Sequence, residues 1–335
     1  MEGIVARMKF VLGVDGGNTK TLALVAREDG VTLGSGRAGC GDIYGAKSPS
    51  AAIAAIESAV NEALTEASIQ SSALTTAAFS LAGADWPEDF KFLEDAMHIR
   101  NYGQGLRVVN DAMGALRAGS PNGTGVVVAC GTGAAVGARH PDGRIWHSSF
   151  WQQVQGADEL GAHTLRAVYR AELGIDPPTA LTKPILEAFE ARNVEEILHL
   201  MTARDMPRRL NRSKLVRPLF DAADAGDETA CRIIKSHGKA LGEYAIVAAR
   251  KVGLLEMSFT LVLTGGVLRH PSPLLRDALV SRVCDVAPNV RATQSRFEPA
   301  AGAVLLALDL VQVNTDTALL ERLETTLPGP AFFAT

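Results

Sequence analysis

Cysteine is sparse in this chain of 335 residues: Cys40, Cys130, Cys231 and Cys284 lie far apart and form no CxxC pair. That dispersal fits reduced thiols and excludes a disulfide framework, a zinc cage or an iron–sulfur site built on neighbouring cysteines. The seven histidines, His98, His140, His147, His163, His199, His237 and His270, show neither HxH nor HxxxH spacing, so no metal cage is expected from them. No apolar run is long enough to span a bilayer, and the opening MEGIVARMKF, broken by Glu2, Arg7 and Lys9, has no signal-peptide core. A cytoplasmic protein with no membrane partner is the expectation. Basic residues are not in excess. With Lys+Arg 33 against Asp+Glu 37 the net charge is −4, which leaves nothing to displace counterions from a polyanion, so no nucleic-acid partner is expected. The basic stretch RDMPRRLNRSK at 204–214 reads as a solvated helix end or loop. Two familiar phosphate signatures are missing as well, since there is no GxxxxGK[ST] and no GxGxxG after the first apolar run.

What is present is an ordinary globular composition, 47% hydrophobic and 21% charged, at a length that suggests two domains. Residues 10–14 and 21–26 read as buried strands around DGGNTK, and VTLGSGRAG reads as a third. Ile53, Ile56, Val60 and Leu64 recur at helical spacing after a Ser-Pro start. A strand over 75–83, a helix over 88–97 and a strand over 106–112 complete an α/β pattern with mixed pairing. The segment GVVVACGTGAAVGARHPDG (125–143) repeats the opening device of strand, Gly-rich turn, strand and Asp-Gly turn. A largely helical stretch runs from 157 to 250, followed by the strand FTLVLTGG and a helix–strand–helix ending. LRAGSPNGTG marks a hinge, dividing the chain into 1–118 and 119–335, with the last helix packing back on the first domain.

The first strand stops on an acid and two glycines. Bare glycine backbone lets amide N–H groups approach a phosphate, so Gly16, Gly17, Asn18, Thr19 and Lys20 are candidate phosphate contacts. Asp15 is placed to hold hydrated Mg²⁺, which favours one or two carboxylates together with water and phosphate oxygens. A plain hairpin turn also explains Asp-Gly here. Gly131, Thr132 and Gly133 repeat the device, and two such hairpins facing each other would clamp one nucleotide. Gly265 and Gly266, after a third buried strand, leave bare backbone for an adenine or ribose, or else form an ordinary strand-to-helix turn.

DGGNTK, then VVNDA, then ACGTG, then TGG, in that order along the whole chain, resemble the phosphate-1, connecting, phosphate-2 and adenosine elements of the actin–hexokinase–heat-shock-chaperone ATPase superfamily. Within it the chain is most similar to the N-acetylglucosamine kinase group of the BadF/BadG/BcrA/BcrD-type ATPase family, with SLAGAD and PAAGAVLLAL as further matching elements. The resemblance implies an α/β fold of two ribonuclease-H-like (actin-like ATPase) domains, mixed sheets flanked by helices, closing over MgATP. It implies Asp111 as the general base that accepts a sugar hydroxyl proton, and a homodimer as the working form. Asn110 and Asp111 also suit a helix N-terminus.

Sugar contacts implied by the resemblance are Asp42, Gly83, Asn110, Asp158 and Glu159. The family's Gly-Trp-Gly…Gly-Asp-Glu-Gly segment appears here as SSFWQQVQGADELG, which keeps Trp151, Gly156 and the two acids but not the glycine frame. Asp158 and Glu159 fit equally as acids at a helix start. For the pair Trp146 and Trp151, core packing is the ordinary role, and ring stacking on a sugar or a place in a dimer contact are the functional ones. Three functions remain open at this point: an ATP-dependent kinase acting on an amino sugar, an ATPase gating a partner enzyme, and a nucleotide sensor without catalysis.

Overall fold

The computed structural model describes residues 8–204 and 211–334, so the opening heptapeptide and most of the basic stretch at 204–214 lie outside the described residues. The apolar runs become strands buried on both faces. β1 (Phe10–Gly16), β2 (Thr21–Arg27) and β3 (Thr32–Ala38) form an antiparallel meander. α1 (Pro49–Ala67) follows, its N-terminus capped by the Ser48 side chain. β4 (Leu74–Leu81), α2 (Pro87–Ile99) and β5 (Gly105–Asn110) come next, β4 lying parallel to β1 and β5 parallel to β4. The first sheet therefore has the order β3-β2-β1-β4-β5. The strand expected over 106–112 stops at Asn110, whose side chain accepts from Ala112 N–H and starts α3 (Asp111–Gly119).

The second sheet repeats the first. β6 (Gly125–Cys130), β7 (Ala134–Arg139) and β8 (Ile145–His147) form the meander. The helices α4 (Ala157–Glu172), α5 (Thr182–Phe189), α6 (Val194–Thr202), α7 (Val216–Asp224) and α8 (Glu228–Val252) come before β9 (Thr260–Thr264). Then α9 (Leu274–Cys284), β10 (Arg291–Gln294), α10 (Pro299–Leu310), α11 (Thr317–Thr326) and α12 (Pro330–Phe333) end the described chain. The order β10-β9-β6-β7-β8, with β9 parallel to β6 and β10 parallel to β9, matches the first sheet strand for strand. The duplication seen in the sequence as one hairpin extends to five strands. None of the helices among the described residues is long and apolar enough to cross a membrane.

Successive β1 residues face opposite layers, as the period-two geometry of a strand requires. Leu12 and Val14 pack with Ile53, Ile56 and Val60 of α1, while Val11 joins Leu22, Leu24 and Val304 of α10. Strands covered on both sides carry uninterrupted apolar runs, which is what β1 and β2 show.

α10 is apolar around its whole circumference and buried from Ala300 to Leu308, as expected of a helix enclosed on all sides. It crosses α3, and their shared core also takes in Val127 and Val262 of the second sheet. A Cβ on Gly302 would lie 2.0 Å from the Gly114 carbonyl, and one on Gly13 would lie 2.2 Å from Val304 N, so backbone meets backbone at both places. The guanidinium of Arg117, 3% exposed, grips Asp309 through two bonds of 2.9 and 3.0 Å. A buried Arg–carboxylate fork of this kind fixes orientation as well as attraction.

Candidate active site

In each sheet, three parallel strands point their carboxyl ends at the same gap: β1, β4 and β5 from one lobe, β6, β9 and β10 from the other. Ligand sites of α/β folds form outside such strand ends. Between the lobes lies a cavity of about 700 Å³. Its walls bring together Asp15, Gly17, Asn18, Thr19 and Lys20 of the first hairpin and Gly131, Thr132 and Gly133 of the second, with Gly265, Gly266, Asp42, Asn110 and Asp111. The two Gly-bearing turns do face one crevice.

The turns differ in detail. Gly16 pairs with Thr21, which leaves a four-residue loop closed by a bond of 2.9 Å from Gly17 N–H to the Lys20 carbonyl. Cys130 pairs with Ala134, leaving the three-residue loop Gly131–Thr132–Gly133. The second loop is held from behind by α4: Ala157 N–H donates to the Gly131 carbonyl (2.8 Å), and a Cβ on Gly156 would stand 2.3 Å from the carbonyls of Gly131 and Gly133. Gly265 sits at φ +94°, a left-handed conformation that favours glycine, so β9 can end abruptly at the cavity.

Acids gather on the first lobe. Burial lifts Asp15 to about 7; the charge of Asp111 and, less strongly, of Glu298 pushes the same way, against the Lys20 ammonium. Asp111 is also pushed up to about 7, mainly by burial and then by Asp85 and Asp42, while the Ala112 backbone N–H counters. Its backbone is pinned because Ser80 Oγ donates to the Asp111 carbonyl (3.2 Å) and accepts from Gly114 N–H (3.1 Å). The helix-start reading of Asn110 and Asp111 and the cavity-lining one therefore hold together: the cap is what presents the acid. A half-buried carboxylate at a strand end, beside other acids and one lysine, is a donor set that suits a hydrated divalent cation shared with phosphate oxygens. Among the described residues no three His, Cys, Asp or Glu side chains converge into a closed metal cage. Lys20 is drawn down by burial and by Arg37, and its ammonium donates to the carbonyl of Phe333. Arg37 Nη1 donates to the Phe332 carbonyl (2.8 Å), so α12 lies across the first hairpin and its Phe333 lines the cavity.

Four of the residues singled out in the sequence stand apart from the cavity wall. Gly16 is buried behind the hairpin, its carbonyl accepting from Ala82 N–H (2.8 Å). Gly83 packs beneath the Asp42 loop, where a Cβ would meet Ile43 at 2.6 Å. Asp158 forms an ion pair with Arg212, tying α4 to the segment before α7. Glu159 accepts from Gln155 N–H one turn back. Both acids occupy the first turn of α4, where a carboxylate complements the helix dipole.

Sequence reasoning passed over several wall residues: Asp85, Ser149, Phe150, Arg269 and Glu298. Asp85 is the last residue of SLAGAD, and nothing in its local pattern separates it from a turn acid. Arg269 pairs with Glu298 across the second lobe's edge. Besides Phe333, the aromatic on the cavity wall is Phe150 and neither of the two nearby tryptophans. Trp146 packs on the second lobe's core and Trp151 is 70% exposed.

The chain matches the BadF/BadG/BcrA/BcrD ATPase family over residues 12–307. It is 28% identical over 318 residues to an N-acetyl-D-glucosamine kinase of Dictyostelium discoideum, covering 90% of this chain and 98% of that one. Among solved structures, a candidate N-acetylglucosamine kinase of Chromobacterium violaceum superposes with a TM-score of 0.64 at 22% identity, over 90% of this chain and 99% of that one. A ROK family glucokinase of Streptomyces griseus, in complex with glucose and AMPPNP, does so with a TM-score of 0.57 at 18% identity, again over 90% and 99%.

Proposed function

From the premise that the chain belongs to the BadF/BadG/BcrA/BcrD ATPase family, we propose that it is an ATP-dependent carbohydrate kinase, moving the γ-phosphoryl of MgATP to a hydroxyl of an amino sugar such as N-acetylglucosamine or glucosamine. The observation that carries this reading is the position of Asp111, at the start of α3 and on the wall of the same cavity as both Gly-bearing turns. The kinase named for Dictyostelium, aligned over nearly its full length, supports it.

In this reading Gly17 to Lys20 and Gly131 to Gly133 supply backbone and side-chain donors to the phosphates from opposite lobes, and Gly265 and Gly266 accommodate the nucleoside. Fixed donors aimed at developing charge lower the barrier because they need no reorganisation during the reaction. Asp15 would hold the metal, and Mg²⁺ would neutralise phosphate charge. Asp111, ionised, accepts the proton of the attacking hydroxyl as that oxygen bonds to the γ-phosphorus and the bond to the bridging oxygen breaks, with ADP leaving. Its raised affinity for protons brings it near the pH where a general base works best. The domain division at 118/119 belongs to the same reading, with lobe closure pivoting where α3 and α10 cross.

The test is ADP release on a panel of acetylated, free-amine and neutral hexoses. Turnover that depends on the sugar is the expected result. Sugar-independent hydrolysis would point instead to an ATPase serving a partner, and nucleotide binding without any turnover to a sensor.

A further inference from the structure

Asp85 follows β4 and lines the cavity, its side chain only 9% exposed. One oxygen is fully engaged. Oδ1 accepts from Asn110 Nδ2 (3.0 Å) and from Ser149 Oγ (2.5 Å), with His147 Nδ1 4.0 Å away. The other oxygen, Oδ2, accepts from no donor among the described residues, although a carboxylate has room for about four hydrogen bonds. Asn110 uses its other end, Oδ1, to cap α3 through Ala112 N–H (3.1 Å). One side chain thus fixes Asp85 relative to Asp111, the next residue in the chain.

Ser149 and His147 reach this carboxylate from the opposite lobe. Ser149 holds φ at +40°, a conformation that a non-glycine residue keeps only when its surroundings enforce it. The next residue, Phe150, puts its ring on the cavity wall, stacked 6.2 Å from Trp86 and edge-on 5.1 Å from Tyr44. These three rings are 57%, 43% and 51% exposed, a braced apolar platform beside a polar pocket. A flat aromatic surface next to an unfilled carboxylate oxygen suits a ring molecule with one apolar face and donors on its rim.

We infer that Asp85 is an acceptor-binding residue whose Oδ2 takes a hydroxyl or ammonium donor of the sugar adjacent to the hydroxyl offered to Asp111, with Phe150 against the sugar face. This rests on the kinase reading above. Ser149 and His147 position the carboxylate and bring the second lobe over the sugar. The first lobe thereby supplies both the acid that takes the proton and the acid that orients the ring.

The experiment measures sugar affinity by calorimetry, with a non-hydrolysable ATP analogue bound, and sugar KM and kcat by ADP release. Wild type is compared with Asp85→Asn, Asp85→Ala and Ser149→Ala, using glucosamine and N-acetylglucosamine as probes. Asp85→Asn is expected to weaken sugar binding and raise KM about tenfold or more, while affinity for the ATP analogue stays within twofold, which also shows that the variant folds. Ser149→Ala keeps the carboxylate and should weaken sugar binding less than threefold. An Asp85→Asn enzyme with unchanged sugar affinity overturns the inference, as do equal losses in Asp85→Asn and Ser149→Ala, which would make Asp85 a latch between lobes only. Wild type that binds sugar without turnover would defeat the kinase reading and leave this inference standing. Wild type that binds neither sugar defeats both.

Discussion

The two halves of the molecule share one sheet order and one hairpin at the cleft, yet their hairpins are not chemically alike. On the first, the strand carries Asp15 as its next-to-last residue and the loop ends in Lys20. On the second, Ala129 occupies the place of Asp15 in the strand pairing, and the shorter loop ends in Gly133. The same division holds elsewhere in the cavity: Asp42, Asp85 and Asp111 all belong to the first lobe, whereas the second contributes Gly265, Gly266 and the Arg269–Glu298 pair. A repeated scaffold keeps its strand order in both copies and places most of the cavity's ionisable groups in one. In the kinase reading proposed above, the first lobe supplies the reaction chemistry and the second supplies shape and backbone donors.

The largest effect should come from the acid that sets this asymmetry. Asp111→Asn is expected to lower turnover about 10³-fold or more, with nucleotide affinity within a few-fold of wild type, as steady-state rates and calorimetry would show. A mild loss would mean that the chemistry is not a first-lobe property. Next comes the joint between lobes. Gly302→Ala pushes a methyl against the Gly114 carbonyl, and unfolding by denaturant should show a loss of about 3 kcal/mol. An unchanged midpoint would mean that α3 and α10 slide apart easily.

The hairpins can then be made alike. Ala129→Asp places an acid on the second hairpin with no lysine at its loop end, and ATP affinity should fall about tenfold, or 1.4 kcal/mol. Equal or tighter binding would show that the missing acid there is incidental.

The smallest effect concerns pH. Asp15 and Asp111 hold protons to about 7 when folded, against 3.8 as the ordinary value. Between those values the folded chain binds more protons than the unfolded one, so this contribution to stability declines as pH rises from about 4 to about 7. Melting of the nucleotide-free protein should follow that trend. The Asp15→Asn, Asp111→Asn double variant should show a flatter profile, and an identical profile would remove the acids as its cause.

Much of this architecture was legible in residue order alone. Buried strands declare themselves as Val- and Leu-rich runs because both sheet faces are covered, and glycines after those runs mark where backbone must turn or come close. The four ordered elements DGGNTK, VVNDA, ACGTG and TGG do line one cavity. What escaped notice are side chains whose role depends on neighbours distant in the chain. Asp85 and Ser149 are 64 positions apart and meet only because the lobes fold face to face. Asp158 and Glu159 carry the right chemistry, but α4 directs them to Arg212 and to its own first turn.

Local pattern alone determined most of the strands and helices, the repeated hairpin and the acid that follows β5, since these depend on periodicity and on the turn chemistry of adjacent residues. Tertiary structure decided which of several plausible acids face the cleft, that Phe150 rather than a tryptophan borders it, and that α12 lies across Lys20. Those outcomes depend on how two separately formed sheets approach each other, and no short window of residues contains that distance.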